Sequence, residues 1–350
     1  MGMIDHWHPA LPSRELRQKP VAVRIAGHDI AVFRTRSGKV GALREECPHR
    51  RMKLSFGTVA GEKLQCRYHG WTWGCDGQGE SPGTPRLHAC AKAYDAREEH
   101  GVVWVRPQGC DAAFPELDVA GYLPMGVLKH RIPAPLELVV DNFCEIEHTP
   151  TTHAVFGYEL DRMHEVEVRF EPTDDAVKVV NHGPPKRVGW LLRLLIGFGK
   201  DWVFNDEWTT RFSPVYSQYD HWWSDPATGR TSTVQWRLFI FFTPVSDTET
   251  ELMTLSYAKS RWPGPGGSLR LFRWLMRGML NREIDLDVEI LSNLASQDTS
   301  IEGMKLSRFD RVLGLNRERI HRIYRGECME SKPPISTDQH GTGGEVAGGE

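Results

Sequence analysis

Two short segments of the chain each combine a cysteine with a histidine. Cys47-Pro48-His49 and Cys66-Arg67-Tyr68-His69 are separated by 16 residues, counted between His49 and Cys66. Two thiolates and two neutral imidazoles can hold a [2Fe–2S] cluster, with both histidines on one iron. The alternative is a structural zinc site, although zinc fingers usually place both cysteines before both histidines. The order of the residues therefore favours a cluster at these four positions.

A second pair of histidines lies further along the chain, in the segment 141–153 (DNFCEIEHTPTTH). Asn142, Glu145 and His148 are three residues apart, so they share one face of a helix predicted over 138–148. His153 follows five residues after His148 and would point away from it on a regular helix. Pro150 is expected to end or distort that helix. Both imidazoles can then reach one ion.

If the ion held by the two histidines is iron(II), it needs a third protein ligand. Two histidines and one carboxylate on one face of the ion leave positions open for O₂ and substrate. The best candidate is Asp287, within a long helix predicted over 269–296. It lies on the inward-facing stripe of that helix, which is marked by Ile284, Val288 and Leu291. A buried carboxylate needs a partner, and a metal would supply it. The alternative is a solvated acidic helix with Asp287 at its margin.

Length and composition limit the possible function classes. The chain has 350 residues, which predicts two domains, and its 40% hydrophobic and 25% charged residues are typical of a globular protein. A formal net charge of -3 provides no positive field for nucleic acid or an anionic membrane. Seven cysteines, an odd number, argue against a disulfide framework. Reduced thiols and the lack of a signal peptide predict a cytoplasmic protein.

The chain divides into two regions of different pattern. A β-hairpin at 21–33, with its turn at Gly27-His28-Asp29, and short strand-like runs at 40–43, 63–66 and 101–106 predict a small all-β domain over residues 1–115. The domain is expected to end in a Gly- and Pro-containing linker. Further runs at 164–170, 176–181, 234–242 and 250–257 alternate with period two and predict an antiparallel sheet. This second domain is expected over 116–330. Residues 331–350 are rich in Gly, Pro, Ser and Thr and are expected to be disordered.

The combined motif resembles the α-subunits of Rieske non-haem iron oxygenases. It consists of Cys47-x-His49-x₁₆-Cys66-x₂-His69, followed by Asn142-x₂-Glu145-x₂-His148-x₄-His153. Trp7-His8-Pro9 and Asp287-x₂-Ile290-Leu291 add to the likeness, which extends over residues ~5–325. The context Cys66-Arg67-Tyr68-His69-Gly70-Trp71 is similar to the second cluster loop of the family.

This resemblance implies a fold, two cofactors and an assembly. The fold is α+β: an all-β Rieske domain followed by a helix-grip domain, in which an antiparallel sheet wraps a long helix. Cys47, His49, Cys66 and His69 would hold the [2Fe–2S] cluster. His148, His153 and Asp287 would hold iron(II). Subunits of the family form head-to-tail trimers that place one subunit's cluster beside the next subunit's iron.

The candidate catalytic residues are Glu145 and Asn142. The family usually has Asp three residues before the first iron histidine, where it bridges the two metal sites across the subunit boundary. This chain has Glu145 there, which departs from the pattern but can still accept hydrogen bonds. Such a Glu is similar to the branch that acts on quaternary ammonium compounds. The alternative for Glu145 is an ordinary polar helix residue.

The resemblance also implies partners and a reaction. No dinucleotide or flavin fingerprint is present, so electrons from NAD(P)H are expected through a separate reductase, with or without a ferredoxin. The expected activity is hydroxylation or demethylation of a small apolar or aromatic substrate with O₂. The alternatives are a ring-dihydroxylating dioxygenase, a non-catalytic Rieske electron carrier, a zinc-stabilised interaction protein and an inactive homologue. The segments 185–204 and 262–280 are apolar, basic and aromatic, a composition that can face a membrane surface, but such contact is not expected.

Overall fold

The computed structural model describes residues 1–261 and 267–327, without the side chains of residues 267, 268 and 270–272. The tail predicted at 331–350 lies outside these ranges. Eleven short strands precede residue 108. They are β1 (His8–Pro12), β2 (Val21–Ile25), β3 (His28–Arg34), β4 (Val40–Arg44), β5 (Thr58–Ala60), β6 (Lys63–Gln65), β7 (Thr72–Trp73), β8 (Gln78–Glu80), β9 (Ala89–Cys90), β10 (Ala93–Glu99) and β11 (Val102–Pro107).

These eleven strands form two antiparallel sheets. Six pair in the order β1-β11-β10-β4-β3-β2, and the other five pair in sequence order from β5 to β9. The hairpin predicted at 21–33 is confirmed as β2 and β3. Its turn lies at Ala26 and Gly27, one residue earlier than predicted, and both have positive φ angles, 46° and 79°. Positive φ at both central residues is typical of a tight hairpin turn that follows the twist of the strands.

A third sheet contains the remaining strands, all antiparallel, in the order β12-β18-β17-β16-β15-β14-β13. The strands are β12 (Leu123–Ile132), β13 (Glu167–Pro172), β14 (Ala176–Gly183), β15 (Val203–Phe212), β16 (Val215–Ser224), β17 (Val234–Ser246) and β18 (Glu249–Ser260). Because two sheets end by residue 107 and the third begins at 123, we keep a domain division near residue 115 as a proposal.

Five α-helices accompany the third sheet among the described residues: α1 (Leu136–Phe143), α2 (Thr149–Thr152), α3 (Trp190–Ile196), α4 (Gly267–Ser292) and α5 (Arg311–Arg319). The long helix α4 packs against β12 and β18, burying Leu280, Ile284 and Leu291 in the core. The predicted α+β class, with an antiparallel sheet against a long helix, is confirmed. No described helix combines the length and apolar character needed to cross a membrane.

The helix predicted over 138–148 was wrong in its extent. Helix α1 ends at Phe143, and the chain turns before α2 starts at Thr149. Pro150 therefore lies in the first turn of a new helix, where its missing N–H removes no helical hydrogen bond. The predicted role of Pro150 in ending the preceding helix was also wrong. Breaking the helix before His148 nevertheless leaves the two histidines free to turn toward each other.

A buried ion pair joins α1 to α5. Arg317 donates hydrogen bonds from Nε and Nη2 to the carboxylate of Asp141, with Nε 3.0 Å from Oδ2. Nη1 of the same arginine donates to the carbonyl of Thr299. Both side chains are 11% exposed, so water does not replace either partner. The pair fixes the C-terminal helix against the helix that leads into the histidine segment.

We expect Arg317→Met to destabilise the protein by about 3 kcal/mol, because it leaves the Asp141 carboxylate buried without its partner. The measurement is the free energy of unfolding in urea. Arg322→Met is the matched control, since Arg322 also pairs with a carboxylate, that of Glu318, but is 44% exposed, and such surface pairs contribute little. Equal losses in both variants would show that burial of the Asp141 pair has no special role.

Candidate metal centres

The two Cys/His segments form loops with the same backbone hydrogen bonds. The N–H of Cys47 donates to the carbonyl of Met52, and the N–H of Arg51 donates back to the carbonyl of Cys47. In the second loop, the N–H of Cys66 likewise donates to the carbonyl of Trp71, and the N–H of Gly70 donates to the carbonyl of Cys66. The fourth residue after each cysteine has a left-handed φ, 58° at Arg51 and 71° at Gly70. The two loops therefore offer their side chains in equivalent ways.

The four candidate cluster ligands divide into a buried half and a surface half. Cys47 and Cys66 are buried, unpaired cysteines. Burial raises the pKa of the Cys47 thiol, and the neighbouring Cys66 adds to this shift. The rings of His49 and His69 have centroids 4.5 Å apart, and His49 is exposed. Two thiols inside and two imidazoles at the surface fit a group with two differently ligated irons.

Gly70 closes the second loop, and its left-handed φ would strain any residue with a Cβ. A Cβ built there meets nothing closer than 3.8 Å, so strain is the only cost. We expect Gly70→Ala to cost about 1–2 kcal/mol and to accelerate loss of the cluster's visible absorbance in urea. Gly83→Ala is the control, because Gly83 has an ordinary φ and open space. Cluster retention equal to that of Gly83→Ala would contradict the role assigned to the Gly70 conformation.

The second predicted site brings together side chains from distant parts of the chain. Ligand atoms of His148, His153 and Asp287 all lie within 4.8 Å of one another. The Nε2 atoms of the two histidines are 3.1 Å apart. Oδ1 of Asp287 lies 3.4 Å from one and 3.5 Å from the other. Two ligands at right angles on an ion with bonds of ~2.1 Å are ~3 Å apart, so the triad suits one face of an octahedral ion.

Three separate elements hold this triad. His148 precedes the first turn of α2 and His153 follows its last, so a single short turn separates them. Asp287 comes from α4 and is 4% exposed. Asn142 at the end of α1 donates from Nδ2 to Oδ1 of Asp287, at 3.1 Å. Of the two candidate catalytic residues, Asn142 thus contacts the triad at the carboxylate of Asp287.

Glu145 contacts the triad through His148. Its carboxylate accepts a hydrogen bond from Nδ1 of His148, and also one from the backbone N–H of Glu147. Because Nδ1 is engaged in this way, Nε2 is the ring nitrogen of His148 that faces the other two residues of the triad. Burial disfavours the His148 imidazolium, but hydrogen bonds to Asp287 and Glu145 outweigh it and raise the pKa to about 10. The site therefore attracts positive charge, as a cation site should.

Two further residues support His153 and were missed in the sequence. Oε2 of the buried Glu283 lies 3.2 Å from Nδ1 of His153, an ion-pair distance without hydrogen-bond alignment. The Glu283 carboxylate also accepts the N–H of Ala154. Lys186 donates from Nζ to the carbonyls of Thr149 and His153, and burial lowers its pKa. Glu283 precedes Asp287 by four residues, a helical spacing that could have revealed it.

A cavity of about 80 Å³ opens at the triad. Its walls are mostly apolar and aromatic: Phe143, Phe156, Trp208, Tyr219, Leu238, Ile240, Leu280 and Ile284. Asp206 of β15 and His221 of β16 add polar groups on the sheet side. An engineered apolar cavity of ~150 Å³ accepts benzene. The observed volume is about half of that, which is room for only the reacting end of a small organic molecule.

Comparison with known proteins gives matches in both regions. Residues 6–94 match the family model of the Rieske [2Fe-2S] domain, which favours the cluster over the zinc alternative. The vanillate O-demethylase oxygenase subunit of Pseudomonas sp. strain HR199 is 32% identical over 157 residues, 42% of this chain and 44% of that protein. The phthalate 4,5-dioxygenase oxygenase subunit of Pseudomonas putida is 32% identical over 166 residues, covering 43% and 38%.

Both alignments span less than half of the relative's length. Solved structures match over nearly the whole chain. Dicamba monooxygenase bound to 3,6-dichlorosalicylic acid superposes with a TM-score of 0.74 at 18% identity, covering 91% of this chain and 96% of that one. A mutant of NdmA from Pseudomonas putida CBB5 with caffeine gives 0.69 at 20% identity, covering 90% and 88%. At these identities, the solved structures share the fold.

Proposed function

We propose that this chain, a member of the Rieske non-haem iron oxygenase α-subunit family, is the terminal oxygenase of a monooxygenase. It would use O₂ and electrons from a separate NAD(P)H-dependent reductase to hydroxylate or demethylate a small organic substrate. One observation carries this proposal: the triad His148, His153 and Asp287 occurs in the same chain as a Rieske domain. An electron carrier needs the domain but not the triad.

The cofactors are assigned to the residues that the two sites bring together. Cys47, His49, Cys66 and His69 would hold the [2Fe–2S] cluster, and His148, His153 and Asp287 would hold iron(II). The iron would supply O₂ activation, with single electrons delivered by the cluster. The donor sets fit both groups: thiols with imidazoles for the cluster, and two imidazoles with a carboxylate for the iron.

The protein's own contribution is to orient ligands and exclude water. Glu145 accepts from Nδ1 of His148 and so holds its Nε2 toward the metal position. Glu283 places its carboxylate 3.2 Å from Nδ1 of His153, on the side of the ring away from the triad. Asn142 donates to Oδ1 of Asp287 and fixes the carboxylate plane. The aromatic walls keep bulk water from the reacting centre and strengthen these polar contacts.

The assembly that we propose is a homotrimer, with a reductase and, where needed, a ferredoxin as electron donors. Support comes from the exposure of His49 and the partial exposure of His69, which leave the cluster edge available to another protein surface. Glu145 would relay electrons from a neighbouring subunit's cluster to His148. The cytoplasmic location stays a prediction, supported by six unpaired cysteines among the described residues.

We propose monooxygenation or demethylation rather than ring dihydroxylation. The aligned relatives include a vanillate O-demethylase, a tert-butanol monooxygenase and a 4beta-methylsterol monooxygenase, beside one phthalate 4,5-dioxygenase. The small cavity with apolar walls supports an apolar or aromatic substrate.

The test is metal analysis followed by turnover. We expect three irons per chain, a Rieske-type EPR signal after reduction, and incorporation of one ¹⁸O atom from ¹⁸O₂ when a surrogate reductase is supplied. Substrates to screen are aromatic, N-methyl and sterol compounds. Two irons per chain would identify an electron carrier instead. Two ¹⁸O atoms in a cis-diol would identify a dioxygenase.

A further inference from the structure

The sheet side of the cavity carries a polar pair that the proposed mechanism does not use. Asp206 and His221 are directly opposite on β15 and β16. Nε2 of His221 lies 3.0 Å from Oδ1 of Asp206, an ion-pair distance without hydrogen-bond alignment, so Oδ1 also lacks a hydrogen-bond partner among the described residues. Both residues are more than nine-tenths buried, with 7% and 8% exposure. Placing two polar side chains on the inner face of a sheet is costly unless they bind something.

His221 is incompletely satisfied. Its Nδ1 atom is buried and has no hydrogen-bond partner among the described residues. Three aromatic rings surround the imidazole, those of Phe156 at 5.1 Å, Phe204 at 5.8 Å and Tyr219 at 5.9 Å between centroids. Trp208, which also lines the cavity, has a buried Nε1–H without a partner. Unpaired buried polar atoms are rare and need an explanation, and beside a cavity a bound group can supply the missing partner.

The hydrogen-bonding direction at His221 follows from Asp206. A neutral imidazole has one N–H donor and one acceptor. A carboxylate beside Nε2 favours the tautomer with the proton on Nε2, and in that tautomer Nδ1 is an acceptor. The unpartnered Oδ1 of Asp206 is an acceptor as well. A substrate group that binds there must therefore donate a hydrogen. Hydroxyl groups donate, whereas methyl, ether and carboxylate groups do not.

The charge of the cavity excludes an acidic substrate. The lining includes the four carboxylates of Glu145, Asp206, Glu283 and Asp287, but no lysine or arginine among the described residues. Even a bound dication leaves these carboxylates in excess. A substrate carboxylate would lack a cationic partner and would be repelled at short range.

We propose that His221, positioned by Asp206, anchors the hydroxyl group of the substrate, which is then an alcohol or a phenol with an apolar body. This inference rests on the proposed function and names its substrate class. The apolar body would lie against the aromatic walls. Because His221 and the triad line one cavity, the anchored hydroxyl holds a different carbon of the same molecule toward the metal ligands. His221 is then a residue that selects and orients the substrate.

The experiment compares three probes of similar size: phenol, toluene and benzoate. Binding to the iron-loaded protein is measured by isothermal titration calorimetry, without reductase. We expect phenol to bind at least ~5-fold more tightly than toluene, with benzoate weakest. His221→Leu should bring the phenol-to-toluene ratio to about 1 while toluene still binds. His221→Gln, which keeps a polar acceptor, should restore part of the ratio.

His182→Leu is the control, because His182 is on neighbouring β14 and pairs with Glu167 at the surface; its ratio should equal that of the wild type. If His221→Leu misfolds because Asp206 is left unpaired, the double variant D206N/H221L removes the stranded charge. Any of four results would overturn the proposed role of His221. In the wild type these are a phenol-to-toluene affinity ratio near 1, tightest binding of benzoate, or no saturable binding of phenol. The fourth is an affinity ratio that stays unchanged in the leucine variants.

Iron content of the same samples separates the two proposals. Three irons per chain without a hydroxyl preference would overturn the anchor and leave the oxygenase proposal standing. Two irons per chain would overturn the oxygenase proposal whatever the probes do.

Discussion

Asp287→Ala is expected to remove one iron per chain and to lower turnover by at least ~1000-fold. The substitution deletes the only carboxylate of the triad and leaves two imidazoles, which cannot balance the charge of a divalent ion at one face. A loss of that size corresponds to about 4 kcal/mol of transition-state stabilisation. The measurements are iron content by mass spectrometry and product formation with a surrogate reductase.

The cluster provides an internal control for this variant. Its EPR signal should be unchanged, because its proposed ligands all precede residue 70. Glu289→Ala is the matched control on the same helix, since Glu289 is exposed and lies off the buried stripe. Full turnover by Asp287→Ala, or equal iron loss in Glu289→Ala, would show that Asp287 is not a ligand.

Glu145→Gln should leave both metal centres loaded but slow electron transfer from the cluster to the iron by about 10- to 100-fold. Gln keeps the length and an acceptor for Nδ1 of His148, but it removes the negative charge that makes the imidazole a strong ligand. Changes to groups that orient a metal-bound histidine typically cost this much. The measurement is stopped-flow oxidation of the reduced cluster in the presence of O₂ and substrate.

Glu147→Gln is the control for that variant, because Glu147 is two residues away and exposed. Oxidation rates that match the wild type in both variants would remove Glu145 from the electron path. A Glu145→Gln protein that has lost its iron would instead assign Glu145 a purely structural role at His148.

Local spacing made much of the site predictable. The cluster loops are short, so the order of Cys47, His49, Cys66 and His69 alone limits which side chains can meet. Asp287 was found from helical periodicity, because the buried faces of α4 repeat regularly along the chain. The larger local error concerned 138–148, where helical spacing suggested a continuous helix. In the structure the first helix ends before Cys144 and a new helix starts at Thr149, and this break lets the two histidines face each other.

The sheet side of the cavity was not predictable in the same way. Strands β15 and β16 were missed because polar side chains such as Asp206, Thr210 and Ser217 are buried on them, which masks the alternation that marks a half-buried strand. The pairing of Asp206 with His221 depends on the register between two strands, and no single stretch of sequence encodes it. Lys186 likewise reaches the histidine segment only through the tertiary fold.

The ion pair between α1 and α5 makes the metal triad sensitive to the far end of the chain. Asp141 is held by Arg317, and the next residue, Asn142, orients the Asp287 carboxylate. A proteolytic cut ahead of α5 would therefore weaken iron retention without deleting any donor atom. Protein cleaved in this way would lose iron because helix α5 no longer holds Asp141, and adding iron back would not restore the full iron content.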